Sequence, residues 1–448
     1  MTVDIDDIVC ERHFEKFILT MNATAGNQII AGAAIPFVKE ASIALLFFSI
    51  WCFETFTENV LKTSPLLGAI CAGVIVGPVL QVAPYPNAFA FMGKIGVMLL
   101  VLESSLEVKI EQVKSIGPRA FLAATFGVCT PVLLSLLVMC VAFQQPIRVG
   151  LAVGSAIAPT SLGFSAKLLG SELKTDFGQT IAIAAVVDDV LSLMLLGIIQ
   201  SLDTAVTTWD YCKPIVGSLG SIVTGLLMIF FVLPKPLLLL RSKIPVKQHS
   251  NMYIILLLAL SICFAWLCAI VGSSDLLGVF TAGLVVGNTL DFNDVSKAFE
   301  KNFGVLTTHG TSLFFACTIG YSFAVGSSDG MFSGPAIGKG AILTLVAIVG
   351  KMLPLGLFAK PLTLNNFLKF SFAMNGRGEF SFLIAKEAKE QGILNSSDFS
   401  ATIWGAFVSS LLAPFLFRWA RRRESLHPSS SANVQKNTDT KEVQLQKI

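Results

Sequence analysis

Two adjacent carboxylates, Asp188 and Asp189, lie at the centre of an otherwise apolar stretch, TIAIAAVVDDVLSLMLLGII. A carboxylate in the middle of a bilayer is costly and is normally retained for function. Successive helical residues point about 100° apart, so one carboxylate can line a cavity while the other faces a neighbouring helix. Lys351 lies deep in a second apolar stretch, AILTLVAIVGKMLPLGLF, and a buried ammonium needs a carboxylate partner or must lose its proton. We therefore expect these three groups to form one buried unit that exchanges protons near neutral pH, with a purely structural ion pair as the alternative.

The segment GLAVGSAIAPTSLGFSAKLLG places Pro159 beside Thr160 and Ser161 at its centre. Proline removes a backbone donor and disrupts the preceding helical turn. The freed carbonyls and the two hydroxyls could supply oxygen ligands for a cation, and a simple proline kink satisfied by the hydroxyls is the alternative. Together with the acid pair, this pattern predicts an ion-binding site.

The segment FAMNGRGEFSFLIA carries Arg377 and Glu379 and predicts a second interrupted helix. Glu103, in GVMLLVLESSLEV, is a further acid near a membrane core. We expect Glu103, Arg377 and Glu379 to form a supporting ion pair, and we favour a structural pair between Glu103 and Arg377. The alternative for Glu103 is a position near the cytoplasmic end of its helix without a pair, and the alternative for Arg377 and Glu379 is a pair within a loop or at a helix end.

Composition indicates which solvent surrounds these elements. The 448-residue chain is 54% hydrophobic and 14% charged, with a mean hydropathy of +0.73, whereas soluble domains carry about 25% charged residues. The net charge of +3 gives no indication of nucleic-acid binding. No nucleophile-elbow, HExxH, P-loop or dinucleotide motif occurs, so we expect an all-α membrane protein that is not an enzyme and needs no cofactor.

Apolar segments recur at the length that a helix needs to cross a bilayer. We predict about thirteen transmembrane helices, near residues 37–61, 65–82, 88–107, 119–143, 148–170, 178–201, 215–239, 250–271, 274–291, 303–324, 337–359, 364–387 and 399–419.

Basic residues predict the orientation of these helices. Four arginines between residues 418 and 423 follow the last segment and place the C-terminus in the cytoplasm. Thirteen crossings then leave residues 1–36 as an extracytoplasmic segment, 37–419 as the transporter domain and 420–448 as a disordered polar and basic tail. The candidate glycosylation sites Asn22 and Asn395 both fall outside. The pattern fits either the plasma membrane or an internal membrane.

The chain contains an internal repeat. Residues 64–80, SPLLGAICAGVIVGPVL, match residues 274–290, SDLLGVFTAGLVVGNTL, at nine of seventeen positions without a gap. The two copies lie seven predicted crossings apart, so the halves, about 64–201 and 274–419, are inverted. Inverted repeats are typical of secondary transporters, whose substrate site lies near the midplane where the halves meet.

These segments resemble the second branch of the monovalent cation:proton antiporter family, the sodium/hydrogen exchanger family with the fold of bacterial Na+/H+ antiporters. The matching pieces are PLLGAICAGVIVGP, LESSLEV, SAIAPTSLGF, AVVDDV, GVFTAGLVVGN, SLFFACTIG, VGKMLPLG and RGEFSF. The resemblance implies a homodimer with dimerisation and core subdomains, two broken crossing helices and elevator-like movement of the core.

The resemblance also implies residue roles. Asp189 resembles the carboxylate that binds the cation or the proton, Asp188 resembles the acid paired with Lys351, and Thr160 lies where the broken helix contributes to the ion site. Family members with a double Asp are generally electrogenic. We therefore expect electrogenic exchange, in which Na+ or Li+, and alternatively K+, is exchanged for protons. A channel-like K+ efflux protein and a transport-inactive, pH-sensing scaffold are the competing hypotheses.

Overall fold

The computed structural model describes residues 28–82, 86–111, 118–202, 208–234, 245, 248–290, 292–324, 330–360 and 362–426. Asn22 lies outside these residues, as do residues 427–448 of the predicted disordered tail, 420–448. Residues 420–426 belong to the last helix, which ends at Leu426, so this part of the tail prediction is wrong. Within them the chain is helical and contains no strand, which confirms the predicted all-α class. The predicted N-terminal segment overlaps the first helix, which begins at Gln28.

Helices follow one another along the whole described chain. In order they are α1 (Gln28–Phe56), α2 (Pro65–Val74), α3 (Pro86–Leu106), α4 (Pro118–Leu137), α5 (Ile147–Ile157), α6 (Leu162–Leu169), α7 (Asp176–Ser201), α8 (Thr208–Leu227), α9 (His249–Ile270), α10 (Asp275–Thr289), α11 (Phe292–Val305), α12 (Cys317–Tyr321), α13 (Gly334–Leu357), α14 (Leu364–Ala373), α15 (Glu379–Glu390) and α16 (Ser396–Leu426).

Several helices continue as π-helical turns. The turns Thr57–Leu61, Ile75–Val79, Val138–Ala142 and Met228–Val232 extend α1, α2, α4 and α8, and Leu306–Ala316 joins α11 to α12. Among the described residues, nine helical stretches are long and apolar enough to cross a membrane, and Pro65–Val79 and Asp275–Thr289 are shorter apolar helices. The joined pair α11–α12 and the interrupted pair α14–α15 complete the thirteen predicted segments.

The repeat detected in the sequence is also visible in helix packing. A Cβ on Gly68 of α2 would collide with the Phe53 carbonyl of α1, and a Cβ on Gly278 of α10 would collide with the Phe264 carbonyl of α9. In each half of the repeat, the equivalent glycine therefore allows the preceding helix to pack closely. Such small-residue contacts allow helices to associate in lipid, where the hydrophobic effect does not drive their association.

The helices form two groups joined by α8. The helices α4–α7 and α13–α16 pack on one another, as do α1–α3 and α9–α12. Helix α8 contacts α7 of the first group and α9 and α10 of the second. We call the first group the core group and the second the scaffold group. Both interrupted helices, α5–α6 and α14–α15, belong to the core group.

Candidate ion-binding site

The first interruption lies between α5 and α6. Helix α5 ends at Ile157, and Pro159 cannot supply the amide that would continue the helical ladder. Helix α6 begins at Leu162, and the Ser161 hydroxyl caps it by accepting a hydrogen bond from the Phe164 amide at 3.3 Å. The sequence therefore encodes both the break and the restart of this helix.

The second interruption, Met374–Gly378, lies directly against the first. The Ser161 amide donates to the Gly376 carbonyl at 2.9 Å, and the Thr160 hydroxyl donates to the Met374 carbonyl at 3.1 Å. A Cβ on Gly378 would lie 2.9 Å from the Ser161 Cβ, so the crossing leaves no room for a side chain there. The backbone groups freed by one break are thus satisfied by the other.

Arg377 donates hydrogen bonds to backbone carbonyls at and near the first interruption. Its guanidinium is fully buried and donates to the carbonyls of Ala158 at 3.1 Å, Pro159 at 3.3 Å and Ala347 at 2.6 Å. The first two carbonyls lie at the negative end of α5, where a cation is favourable. Arg377 also donates to the Asn375 side-chain oxygen at 3.1 Å.

The predicted pair between Glu103 and Arg377 is wrong. Both terminal guanidinium nitrogens of Arg377 donate to backbone carbonyls, and Glu103 on α3 lies beside the Thr307 hydroxyl instead. Glu379 does not pair with Arg377 either; it begins α15 and lines a cavity. The break at Pro159, which the sequence predicted, frees the carbonyls of Ala158 and Pro159, but no residue pattern indicated that Arg377 would bind them.

The acid pair is divided between two environments. The Lys351 ammonium lies 2.7 Å from one carboxylate oxygen of Asp188, and the two side chains are 0% and 1% exposed. The ammonium also donates to the Thr160 hydroxyl. The second carboxylate oxygen of Asp188, Oδ1, has no hydrogen-bond partner among the described residues. The structure therefore brings Asp188, Lys351 and Thr160 together as one buried cluster.

Asp189 lies on the other side of α7 and borders a cavity of about 570 Å³. It is 5% exposed, and its carboxylate accepts no hydrogen bond from the described residues. Ser161 and Glu379 line the same cavity, whereas Thr160 does not. Of the two predicted hydroxyl ligands, the structure thus places Ser161 beside Asp189 and Thr160 beside Lys351.

The cavity opens towards one end of the helix bundle. Glu107, Lys109 and Lys174 line it together with Glu103. Lys369 bridges Glu172 at 3.2 Å and Glu424 at 2.9 Å, which places the C-terminal end of α16 at this same end. Glu107, Lys109 and Lys174 were not predicted as site residues, because nothing in their local sequence indicates a cavity.

Asn395 lies far along the chain from these residues, at the start of α16. Its side-chain oxygen accepts from the Asp398 amide at 2.8 Å, and its amide donates to the Asp398 carboxylate at 2.9 Å. The residue is exposed. Glycosylation at Asn395 stays a prediction.

The fold and the site together define a membrane transporter built from an inverted repeat, with two broken helices crossing beside buried carboxylates. The description "Sodium/hydrogen exchanger, transmembrane" matches residues 43–421. The chain therefore belongs to the sodium/hydrogen exchanger family, whose members are cation/proton antiporters and not enzymes.

Individual relatives agree with this assignment. The high-affinity Na(+)/H(+) antiporter NhaS3 of Synechocystis is 28% identical over 76% of this chain and 74% of its own length. The Na(+)/H(+) antiporter of Enterococcus hirae is 25% identical over 80% of this chain and 92% of its own. The sodium proton antiporter MjNhaP1 of Methanocaldococcus jannaschii matches the fold with a TM-score of 0.58 at 17% identity, covering 87% of this chain and 97% of that one.

Proposed function

We propose that this chain exchanges Na+ or Li+ for protons and that Asp189 binds the cation and the proton in turn. The observation that carries the proposal is the division of the acid pair. Asp188 is held by Lys351 at 2.7 Å, whereas Asp189 borders the cavity and accepts no hydrogen bond from a residue that the structure describes. A carboxylate left free at a cavity can accept either a hard cation or a proton, and binding of one excludes the other.

Neutral oxygen atoms complete the proposed site. Ser161, which carries a hydroxyl, lines the same cavity as Asp189, and in the proposal this hydroxyl is a ligand of the cation. Small monovalent cations prefer such oxygen ligands, and broken helices at a repeat interface are where transporters bind them. In the proposal, Thr160 contributes by holding Lys351. The choice between Na+ and K+ depends on cavity geometry at sub-ångström precision.

The cluster around Lys351 provides a second proton. A cation arriving at Asp189 adds positive charge beside Asp188 and weakens the hold of this cluster on the Lys351 proton. Release of one proton from Asp189 and one from Lys351 for each entering cation moves one net charge per cycle. A membrane potential of 100 mV would then contribute about 2.3 kcal/mol per cycle, which corresponds to roughly a fifty-fold cation gradient.

Alternating access is proposed to occur by movement of the core group against the scaffold group. The cavity passes between Glu103 and Ser104 of the scaffold group and Asp189 of the core group. At the opposite end, Lys389 of α15 donates to the Ser322 carbonyl at the end of α12, which joins the two groups. We further propose that the scaffold group forms the homodimer contact and that the cavity in this structure opens to the cytoplasm.

Exchange in proteoliposomes tests the proposal. On external addition of Na+ or Li+, the wild type should alkalinise the lumen, because protons leave as the cation enters, with a rate that follows an imposed potential. Asp189→Asn keeps the side-chain shape but removes the charge, and it should abolish exchange. A channel-like protein would instead conduct K+ without moving protons, and a scaffold would show no transport in the wild type. Either result would overturn the proposal.

A further inference from the structure

A second cavity, far from the acid pair, lies between α8 and the end of α9. It has a volume of about 470 Å³ and is walled by Val216, Gly217 and Gly220 on α8 and by Leu267 and Ile270 on α9. We call it the α8–α9 groove. Most of its walls are apolar, and Leu267 and Ile270 are 43% and 59% exposed. Its walls belong to helices long and apolar enough to cross a membrane, so the groove faces the bilayer.

The groove is apolar along its length and charged at one end. Lys213 and Trp209 line the end at which α8 begins and α9 finishes. The aliphatic part of the Lys213 side chain packs against the turn that follows α9, since a Cβ on Gly272 would lie 3.5 Å from the Lys213 Cδ. Lys213 is exposed and makes no ion pair with a described residue. Trp and Lys at a helix end mark the level of lipid headgroups.

The dimensions of the groove match one leaflet. Lining residues extend along α8 from Trp209 to Thr224, which corresponds to roughly 22 Å at 1.5 Å per residue. One leaflet contributes about 15 Å of hydrocarbon, and about 20–22 Å when its headgroup region is included. A molecule with an anionic head at Lys213 and an apolar chain lying beside Gly220 would fill this volume.

We propose that the α8–α9 groove binds an anionic phospholipid, whose phosphate contacts Lys213 and whose acyl chain lies between α8 and α9. The absence of a side chain at Gly220 creates space for the chain, since nothing lies within 4 Å of a Cβ placed there. Because α8 joins the core group to the scaffold group, the bound lipid sits where the two groups meet. The inference depends on the membrane location and not on the role of Asp189.

Photo-crosslinking of the full chain in phosphatidylcholine nanodiscs tests this site. The probes are phosphatidylglycerol and phosphatidylcholine that carry a diazirine on one acyl chain, and labelled peptides are mapped by mass spectrometry. We expect phosphatidylglycerol to label 209–224 and 267–271. Lys213→Gln should lower that labelling about five-fold, as the loss of one interfacial lysine predicts, and should leave phosphatidylcholine labelling within two-fold.

Matched variants distinguish the loss of lipid from the groove from damage to the fold. Gly220→Leu fills the groove and should lower labelling by both lipids at least five-fold, whereas Gly220→Ala adds one methyl group and should not. Lys297→Gln removes another exposed lysine and should leave the labelling pattern of the wild type. Labelling that is unchanged by Lys213→Gln and Gly220→Leu would overturn the proposal. In a parallel reaction with a bifunctional protein cross-linker, links from groove peptides to residues 203–207 or to a second copy would also overturn the proposal, because the groove would then hold protein.

Discussion

The Lys351 ammonium lies 2.7 Å from the Asp188 carboxylate, and both side chains are withdrawn from solvent. The next residue, Asp189, borders a cavity of about 570 Å³. Two chemically identical neighbours on α7 are thus placed in different surroundings by the 100° rotation between successive helical residues. This division separates a carboxylate that is paired with an ammonium from a carboxylate that borders the cavity.

Removal of Lys351 should destabilise the protein strongly. Lys351→Ala leaves the Asp188 carboxylate buried without a counter-ion, and breaking a buried pair in this way costs about 3–5 kcal/mol. Thermal unfolding in detergent should show a lowered Tm. The double variant Lys351→Ala with Asp188→Asn removes both charges and should recover a large part of the loss. A single variant as stable as the wild type would mean that the pair contributes nothing to the fold.

Arg377 should not tolerate a conservative replacement. A lysine at this position supplies one ammonium where the guanidinium reaches the carbonyls of Ala158, Pro159 and Ala347 from two nitrogens. At least one carbonyl would be left unsatisfied, at a cost of about 1–3 kcal/mol. We expect Arg377→Lys to lower both the Tm and the exchange rate, and Lys297→Arg, at an exposed position, to change neither.

The crossing of the broken helices should depend on a missing side chain. Gly378→Ala would place a methyl group 2.9 Å from the Ser161 Cβ and should push the two interruptions apart, with loss of exchange. Gly338→Ala serves as the control, because no atom lies within 4 Å of a Cβ at that position. Equal exchange by both variants would show that the contact between the interruptions is not required.

A surface ion pair joins the two helix groups beside the cavity. Lys167 of α6 lies 2.6 Å from Glu58, which follows α1, and the side chains are 58% and 49% exposed. Such pairs contribute about 0.2–1 kcal/mol, enough to shift a two-state population by up to about five-fold.

If the core group moves against the scaffold group, Glu58→Lys should slow thiol labelling of a cysteine introduced at Ser104, which lines the cavity. The charge-swapped variant Glu58→Lys with Lys167→Glu should restore it. Identical labelling rates in all three proteins would argue against a moving contact here.

Much of this arrangement could be predicted from residues alone. The length of the apolar segments predicted the helices, and Pro159 and the glycines around Arg377 indicated the two interruptions. The pairing of Lys351 with the acid pair followed from the cost of an isolated buried charge. These predictions rest on large, local energetic costs, such as that of an isolated buried charge or of a proline within a helix. The residues concerned can be identified in the sequence.

The partners of Arg377 and Thr160 could not be predicted in the same way. The Thr160 hydroxyl contacts the Met374 carbonyl 214 positions away, and the Arg377 guanidinium binds backbone carbonyls, which every residue has. Glu103 was assigned to Arg377 because their opposite charges are visible in the sequence, whereas nothing in the residues indicated that Arg377 would bind the carbonyls freed at Pro159. Tertiary geometry, and not residue type, decides such contacts.

Proton release on cation binding tests the role of Asp189 most directly. Purified protein in weakly buffered solution, with a pH indicator, should release protons when Na+ or Li+ is added, and addition of choline should release none. Asp189→Asn should bind no cation and release no proton, while Thr224→Ala, which lies in the α8–α9 groove, should behave as the wild type. Proton release by Asp189→Asn equal to that of the wild type would contradict the account, because the exchanging carboxylate would then lie elsewhere.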